Sequence, residues 1–293
     1  MIQTIAVVNM KGGVGKSTAV AALSEILASK AKSRVLAVDL DPQANSSWVL
    51  AGVDRWSESR KAGRTVDAFF EDVLWQRGLP KVPDFITENV SDVKLKSQID
   101  LLITTPEFRY TEREAIEKLV EEGCRLRDVR QRIANAVRRI REQVDQRYEY
   151  MIVDCPPGIS YFAEAALLIA DVVVVPTIPD FMSQFGLETF IRRVLTPLAA
   201  PPLLQRPPLE PGRLCVLLSK FDNGMELHRT ESVNIRDSGR GRYVCFQEAV
   251  PQDQDVARAA EFSDEKRTLE LKYGRALPAF RAAADYIARE LGE

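Results

Sequence analysis

The feature that most narrows the fold of this chain is a loop rich in glycine and lysine, set between two apolar segments. Asn9-Met10-Lys11-Gly12-Gly13-Val14-Gly15-Lys16-Ser17-Thr18 closes the apolar run Ile2–Asn9 and precedes a helical period marked by Val20, Leu23 and Leu27. A strand that ends in such a loop and passes at once into a helix makes an anion cradle. Glycines let successive backbone N–H groups turn inward, and the helix N-terminus adds partial positive charge. Lys16 would reach the β- and γ-phosphates of a nucleotide, and Ser17 would offer its hydroxyl to Mg²⁺. Gly12, Gly13, Val14, Gly15 and Thr18 complete the expected phosphate-binding set. The general pattern G-x-x-x-x-G-K-[ST] wants glycine at position 10, where this chain has Met10, and the chain carries a second lysine, Lys11, beside it.

The rest of the chain repeats the strand–helix alternation. Candidate strands are Ile2–Asn9, Val35–Asp39, Ile99–Ile103, Met151–Asp154, Val172–Pro176, Leu214–Ser219 and, more weakly, Tyr243–Phe246. Most are continuous in Val, Ile and Leu, as parallel strands covered on both faces require. A second helical period runs through Leu126, Val129, Ile133, Val137, Ile140 and Val144. The expectation is an α/β fold: one doubly wound, mostly parallel sheet with helices on both faces. The proline-rich stretch 199–212 reads as a surface connection, so residues 1–293 are expected to form a single domain. Forty Lys+Arg against forty-two Asp+Glu leave a formal charge of −2, which excludes a chain basic throughout and confines any nucleic-acid surface to a local patch. Cys124, Cys155, Cys215 and Cys245 are scattered and His228 is the only histidine, which argues against structural zinc and a disulfide scaffold. No apolar run approaches the roughly 18 residues of a membrane span. A reduced, cytoplasmic protein is expected.

Two further segments extend the loop's message. Val35-Leu36-Ala37-Val38-Asp39-Leu40-Asp41-Pro42-Gln43-Ala44-Asn45 ends a strand in D-x-D-P-Q-x-N, and Tyr150-Met151-Ile152-Val153-Asp154-Cys155-Pro156-Pro157-Gly158 ends another in D-x-P-P. Together with K-G-G-x-G-K-[ST], in this order, they resemble the deviant Walker ATPases of ParA and MinD type. That resemblance implies ATP and Mg²⁺ as ligands and a nucleotide-sandwich homodimer in which Lys11 crosses to the partner's phosphates. Asp154, at a strand end, is placed to hold Mg²⁺ through water. Asp41 is the candidate for orienting the attacking water. Asp39 would support the metal shell or the switch, and Pro156-Pro157-Gly158 would form a stiff segment with a pivot that senses the γ-phosphate. Catalysis then rests on Lys11, Lys16 and Asp41, and the metal on Ser17, Asp39 and Asp154. On the base side, Ser219-Lys220-Phe221-Asp222 has the spacing of a guanine-reading N-K-x-D loop, whereas the resemblance implies ATP, bound by Asp222 and by Pro251 in Val250-Pro251-Gln252-Asp253.

Within that family the chain looks most like the small ParA-type positioning ATPases. Its tail, with Phe280, Ala284, Ile287 and Leu291 on one helical face and a mixed flank, reads as a core-docking helix and not a membrane anchor. The resemblance implies a weak, partner-stimulated ATPase on the nucleoid that positions a plasmid or chromosome centromere complex or a protein cluster, with a ParB-like or cargo-adaptor activator. The alternative is a nucleotide-gated regulatory module acting on a replication or division partner without DNA transport. Family arginines after Ser219 and near Pro251 are replaced by Asp222-Asn223-Gly224 and Pro251-Gln252-Asp253-Gln254-Asp255. Residues 124–147 instead hold eight arginines against three acids, and Arg127, Arg130, Arg138 and Arg141 are expected to line one flank, either as a solvated helix face whose stems cover the apolar stripe or as a non-specific DNA patch.

Overall fold

The computed structural model describes residues 1–30, 34–75, 80–196 and 210–292. Eight strands form one sheet: β1 (Gln3–Val7), β2 (Val35–Asp39), β3 (Thr87–Val90), β4 (Ile99–Leu102), β5 (Tyr150–Asp154), β6 (Val172–Thr177), β7 (Leu214–Leu218) and β8 (Val244–Cys245). Their spatial order is β3-β4-β2-β5-β1-β6-β7-β8. All pairs are parallel except β3 with β4. This is the doubly wound fold that the alternation predicts. The first strand is shorter than Ile2–Asn9, because Val8 and Asn9 already belong to the loop, and the weak last strand shrinks to two residues. Strand β3 escaped the sequence reading. Thr-Glu-Asn-Val carries little apolar signal, and only Thr87 and Val90 turn inward at this antiparallel edge.

Parallel strands place alternate side chains on opposite faces, and both faces are covered here. Leu36 and Val38 of β2 join one core, Val35 and Ala37 the other. Helices α1 (Lys16–Ser29) and α2 (Asn45–Lys61) pack over the second core, together with the C-terminal helix Leu277–Leu291. Phe280, Ala284 and Ile287 of that last helix are buried, so the tail docks as its apolar face predicts. Helices α3 (Val66–Leu74), α4 (Phe108–Glu121), α5 (Leu126–Val144), α6 (Tyr161–Ile169) and α7 (Phe181–Phe190) cover the first core. The α5 period holds from Val129 to Val144, while Leu126, in the first turn, is exposed. The remaining α-helices among the described residues are α8 (Glu226–Ser238), α9 (Gln254–Ala259), α10 (Leu269–Tyr273) and α11, the C-terminal helix already described.

A buried ionic cluster that no motif announced joins the phosphate-loop helix to the C-terminal segment. Lys272 Nζ donates to Glu25 Oε1 and Asp92 Oδ1, each at 2.7 Å. Tyr273 Oη donates to Glu25 Oε2 at 2.6 Å, Ser91 Oγ to Glu25 Oε1 at 2.6 Å, and Arg267 pairs with Asp92. Two acids meet two bases there with their hydrogen-bonding capacity largely used. Burial alone would raise the Asp92 carboxyl, but the Lys272 ammonium and the surrounding donors hold it below its usual range.

All four cysteines are free thiols. Among the described residues no helix is long and apolar enough to cross a membrane. The proline-rich stretch expected at 199–212 lies, up to residue 209, outside the described residues.

Candidate functional site

Register places the site. Val7, the last residue of β1, pairs with Asp154 of β5, and Asp154 pairs with Asp39 of β2. Three strand ends therefore finish level, and the loop that follows β1 opens directly beside two aspartates. Strand β1 lies between β5 and β6, where the winding of the sheet reverses. Doubly wound sheets bind ligands outside the strand C-termini at such a reversal.

The loop has the backbone that an anion cradle needs. Gly13 and Gly15 take φ of +71° and +87°, which L side chains rarely adopt. A Cβ on Gly12 or Gly13 would meet nothing within 4 Å, so the open side of the loop is free. Helix α1 starts at Lys16 without a side-chain cap and with no acid in its first turn, which leaves its N–H groups to a ligand. Lys16 is only 6% exposed, whereas Ser17 and Thr18 are half-buried at the mouth.

The acids divide into two kinds. Asp39 spends one carboxylate oxygen on the Asp41 N–H (3.0 Å) and the other on the N–H and Oγ of Ser47 (2.9 and 2.7 Å). These three bonds tie it to the 41–47 turn. Asp154 accepts from Ser46 Oγ at 2.5 Å through Oδ2, while its buried Oδ1 has no partner. Burial raises the carboxyls of both Asp39 and Asp154; Asp154 adds to the rise at Asp39, and Asp41 to that at Asp154, against the pull of Ser46, Ser17 and Lys16. A buried carboxylate oxygen without a donor, beside the Ser17 hydroxyl, is the chemistry of a hard-cation site. Asp41 is buried, with Oδ1 receiving the Gln43 N–H at 3.0 Å. It forms part of the wall of a cleft of about 340 Å³ that also takes in Pro42, Gln43, Phe108, Pro156 and Pro157. Residues 40–43 and Pro156, Pro157 and Ser160 thus border one cleft, and Gly158 beside it takes φ +87°. Ser46 and Ser47, which the motif reading passed over, follow D-x-D-P-Q-x-N directly and were legible as its continuation.

Lys11 is exposed, and its Nζ bonds within its own chain to Asp180 Oδ2 (3.0 Å) and Ser183 Oγ (3.3 Å). Asp180 also caps α7 by accepting the Ser183 N–H at 2.7 Å. Burial alone would raise the Asp180 carboxyl, yet the Ser183 N–H and the Lys11 ammonium hold it low. Neither Asp180 nor Ser183 carried a sequence signal.

On the base side, Ser219 Oγ donates to the Val14 carbonyl at 2.8 Å and ties this segment to the phosphate loop. Phe221 exchanges backbone bonds with the 250–252 loop, donating to Val250 and accepting from Gln252, both at 2.9 Å. Phe221 thereby lies beside Pro251, which places Asp222 next to that loop. Asp222 is exposed, and its Oδ1 accepts the Gly224 N–H at 2.8 Å. Asp253 caps α9 and pairs with Arg275 at 3.0 Å, so the acidic loop is partly neutralised.

The arginine flank does not hold together as expected. Arg141 contacts the Ile169 and Ile2 carbonyls and Asp171, with its side chain 11% exposed. Arg130 is bound by Glu164 at 2.6 Å, and Arg127 leans on Asp128 at 3.5 Å. The reason is placement: α5 packs against α6, and Arg130 and Arg141 reach Glu164 in that helix and the Ile169 carbonyl at its end. Arg138 bonds to the neutral Asn135, and neither Arg132 nor Arg139 has an acidic partner among the described residues.

Comparison with known proteins agrees with this geometry. The AAA_31 family, described as an AAA domain, matches residues 2–197. Sporulation initiation inhibitor protein Soj of Bacillus subtilis is 30% identical over 194 residues, covering 66% of this chain and 65% of Soj. The chain thus spans just under two thirds of that relative. Chromosome partitioning protein ParA of Caulobacter vibrioides is 26% identical over 291 residues, 99% of this chain and 95% of that protein. Among solved structures, cobyrinic acid a,c-diamide synthase of Mycobacterium smegmatis with bound ADP and magnesium has a TM-score of 0.70 at 21% identity, covering 99% and 96% of the two chains. The pNOB8 ParA bound to nonspecific DNA has a TM-score of 0.65 at 18% identity, covering 99% of each. These two are likenesses of fold. From the family match, the three motifs and the level strand ends that carry them, the chain belongs to the ParA/MinD-type family of P-loop ATPases.

Proposed function

We propose that this protein is a ParA-type positioning ATPase, which binds ATP with Mg²⁺, dimerises around it and resets by slow hydrolysis. The observation that carries the reading is the pair of lysines in one loop: Lys16 buried at the cradle, Lys11 exposed and turned away to Asp180. One lysine suffices for one phosphate chain, and the outward one suits a partner's.

Each residue has a distinct task in this reading. The 12–15 backbone and the N-terminus of α1 hold the phosphates, and Lys16 neutralises their charge. Ser17 and the free oxygen of Asp154 would hold Mg²⁺, which when bound spreads the negative charge of the β- and γ-oxygens. Asp41 orients water at the edge of the cleft, with Asp39 fixing the turn that carries it. The 156–158 segment follows the occupancy of the γ-phosphate position. Asp222 and Pro251 border the base. DNA association fits Arg132, Arg138 and Arg139 of α5, which no acid neutralises among the described residues, and the cargo is brought by an activating partner such as a ParB-like protein. The likeness to a ParA bound to nonspecific DNA supports this, and the similarity to a chromosome partitioning protein points the same way. A nucleotide-gated regulatory module without DNA transport is favoured by one specific observation, the replacement of the family arginines at 222–224 and 251–255.

Lys11→Ala tests the core of the proposal. ATP binding is expected to stay within about threefold, because Lys16 and the backbone nest remain. The ATP-dependent dimer, followed by light scattering, and phosphate release should both be lost. An unchanged ATP dimer in this variant would refute the crossing lysine. Gel shifts of the ATP-loaded wild type at low salt separate the two functional readings, since no retarded DNA would leave the regulatory module standing.

A further inference from the structure

His228 is the only histidine of the chain and belongs to none of the motifs, yet it is buried at 6% exposure beside the base-side loop. Its Nδ1 accepts the backbone N–H of Asp222 at 3.0 Å. That bond fixes the tautomer, since an accepting Nδ1 leaves the proton on Nε2. The ring lies tilted against Phe221, with 6.2 Å between ring centroids. The 219–222 loop is therefore held at three points. Ser219 ties it to the phosphate loop, Phe221 to the 250–252 loop, and Asp222 to α8 through His228. The loop needs such tethers, because Lys220 sits at φ +51°, a conformation that costs a non-glycine residue.

We propose that His228 is a positioning residue for the nucleotide: its Nδ1 holds the Asp222 backbone so that the loop bordering the base keeps its register with the phosphate cradle. This rests on the nucleotide site proposed above and extends it to a residue that touches no nucleotide. Its effect falls on ground-state binding and not on the reacting phosphate, so affinity and KM should move while kcat stays.

Substitution separates the acceptor from the ring. His228→Phe keeps a ring against Phe221 and removes the acceptor; His228→Asn keeps an oxygen near the Nδ1 position and removes the ring. In titrations with a fluorescent ATP analogue and in steady-state hydrolysis, His228→Phe should raise Kd and KM about five- to tenfold, the loss of roughly one buried hydrogen bond, with kcat within about twofold. His228→Asn should restore both to near wild-type values. The reverse pattern, or equal impairment of the two variants, overturns the proposal in favour of a packing role. If circular dichroism shows that His228→Phe does not fold, His228→Gln replaces it. Its amide reaches past the Nδ1 position and should bind as weakly, and wild-type affinity there overturns the proposal too. A wild-type protein that binds no ATP rejects the nucleotide site itself, a result distinct from loss confined to the variants.

Discussion

Asp154 concentrates the electrostatic cost of the proposed cation site in a single side chain. It is fully buried, with one oxygen satisfied by Ser46 and the other without a donor. Burial, with Asp41's charge, pushes its carboxyl up to about 6. A folded-state value above the unfolded one, about 3.9, gives stability that is complete below about pH 4 and lost as pH rises through the folded value. At neutral pH the ionised Asp154 is thus a cost to the nucleotide-free protein. Asp154→Asn should melt higher than wild type at pH 7.5 by an amount equivalent to about 1–3 kcal/mol, and the gap should close by pH 5. The same variant should gain nothing from Mg·ATP in the melt. A variant that melts at or below the wild type at pH 7.5 would show that the buried charge is already compensated. Asp39, one strand over, is raised by burial as well but keeps both oxygens bonded, so its burden is structural from the outset.

At the scale of the element, α5 carries arginines in two settings that its sequence does not separate. Arg141 is bound to two carbonyls and Asp171 at the β1 and β6 ends of the sheet, whereas Arg138 and Arg139 lie outside that contact. Arg141→Ala should lower unfolding stability by about 3 kcal/mol, because it leaves Asp171 and two carbonyls in a buried setting. Reversal of Arg138 and Arg139 to Glu should leave urea unfolding within about 0.5 kcal/mol. On DNA the same double variant should weaken the ATP-bound state, and each phosphate no longer neutralised should reduce the salt slope of log affinity by about 0.9. Unchanged DNA affinity across salt would remove α5 from the interface. Periodicity located this helix from its apolar face, with Val129 to Val144 inward as read. It could not rank the arginines, since which stem reaches an acid depends on α6 and on Asp171 at the start of β6.

Across the whole molecule, the helix that follows the glycine-rich loop is tied down by residues far from it in sequence. Glu25 in α1 meets Lys272 and Tyr273 in α10 and Ser91 before β4, and Asp92 adds Arg267. Lys272→Met removes the cation between two buried carboxylates and should destabilise the fold by about 3–5 kcal/mol in urea unfolding. Adding Glu25→Gln should recover much of that loss, because one uncompensated charge disappears with it. Failure of the second change to rescue would mean that packing, and not charge, holds this junction. The cluster lies under the same C-terminal segment that carries Asp253 and Arg275 near the base-side loop.

Local chemistry was enough to write the phosphate loop, the two aspartate-bearing strand ends, the docking of the last helix and the doubly wound class, because each is encoded within a few consecutive residues. Continuous β-branched runs mark covered parallel strands, and φ beyond +70° at Gly13 and Gly15 needs glycine wherever the chain goes next. What required the tertiary structure were the partnerships between distant residues: Lys11 with Asp180, Arg141 with Asp171, Lys272 with Glu25 and Asp92, and His228 with the Asp222 backbone. The role of each of these side chains is set by which opposite charge or free N–H lies within about 3 Å, and short-range pattern carries no information about partners met across 6 to 247 positions of chain.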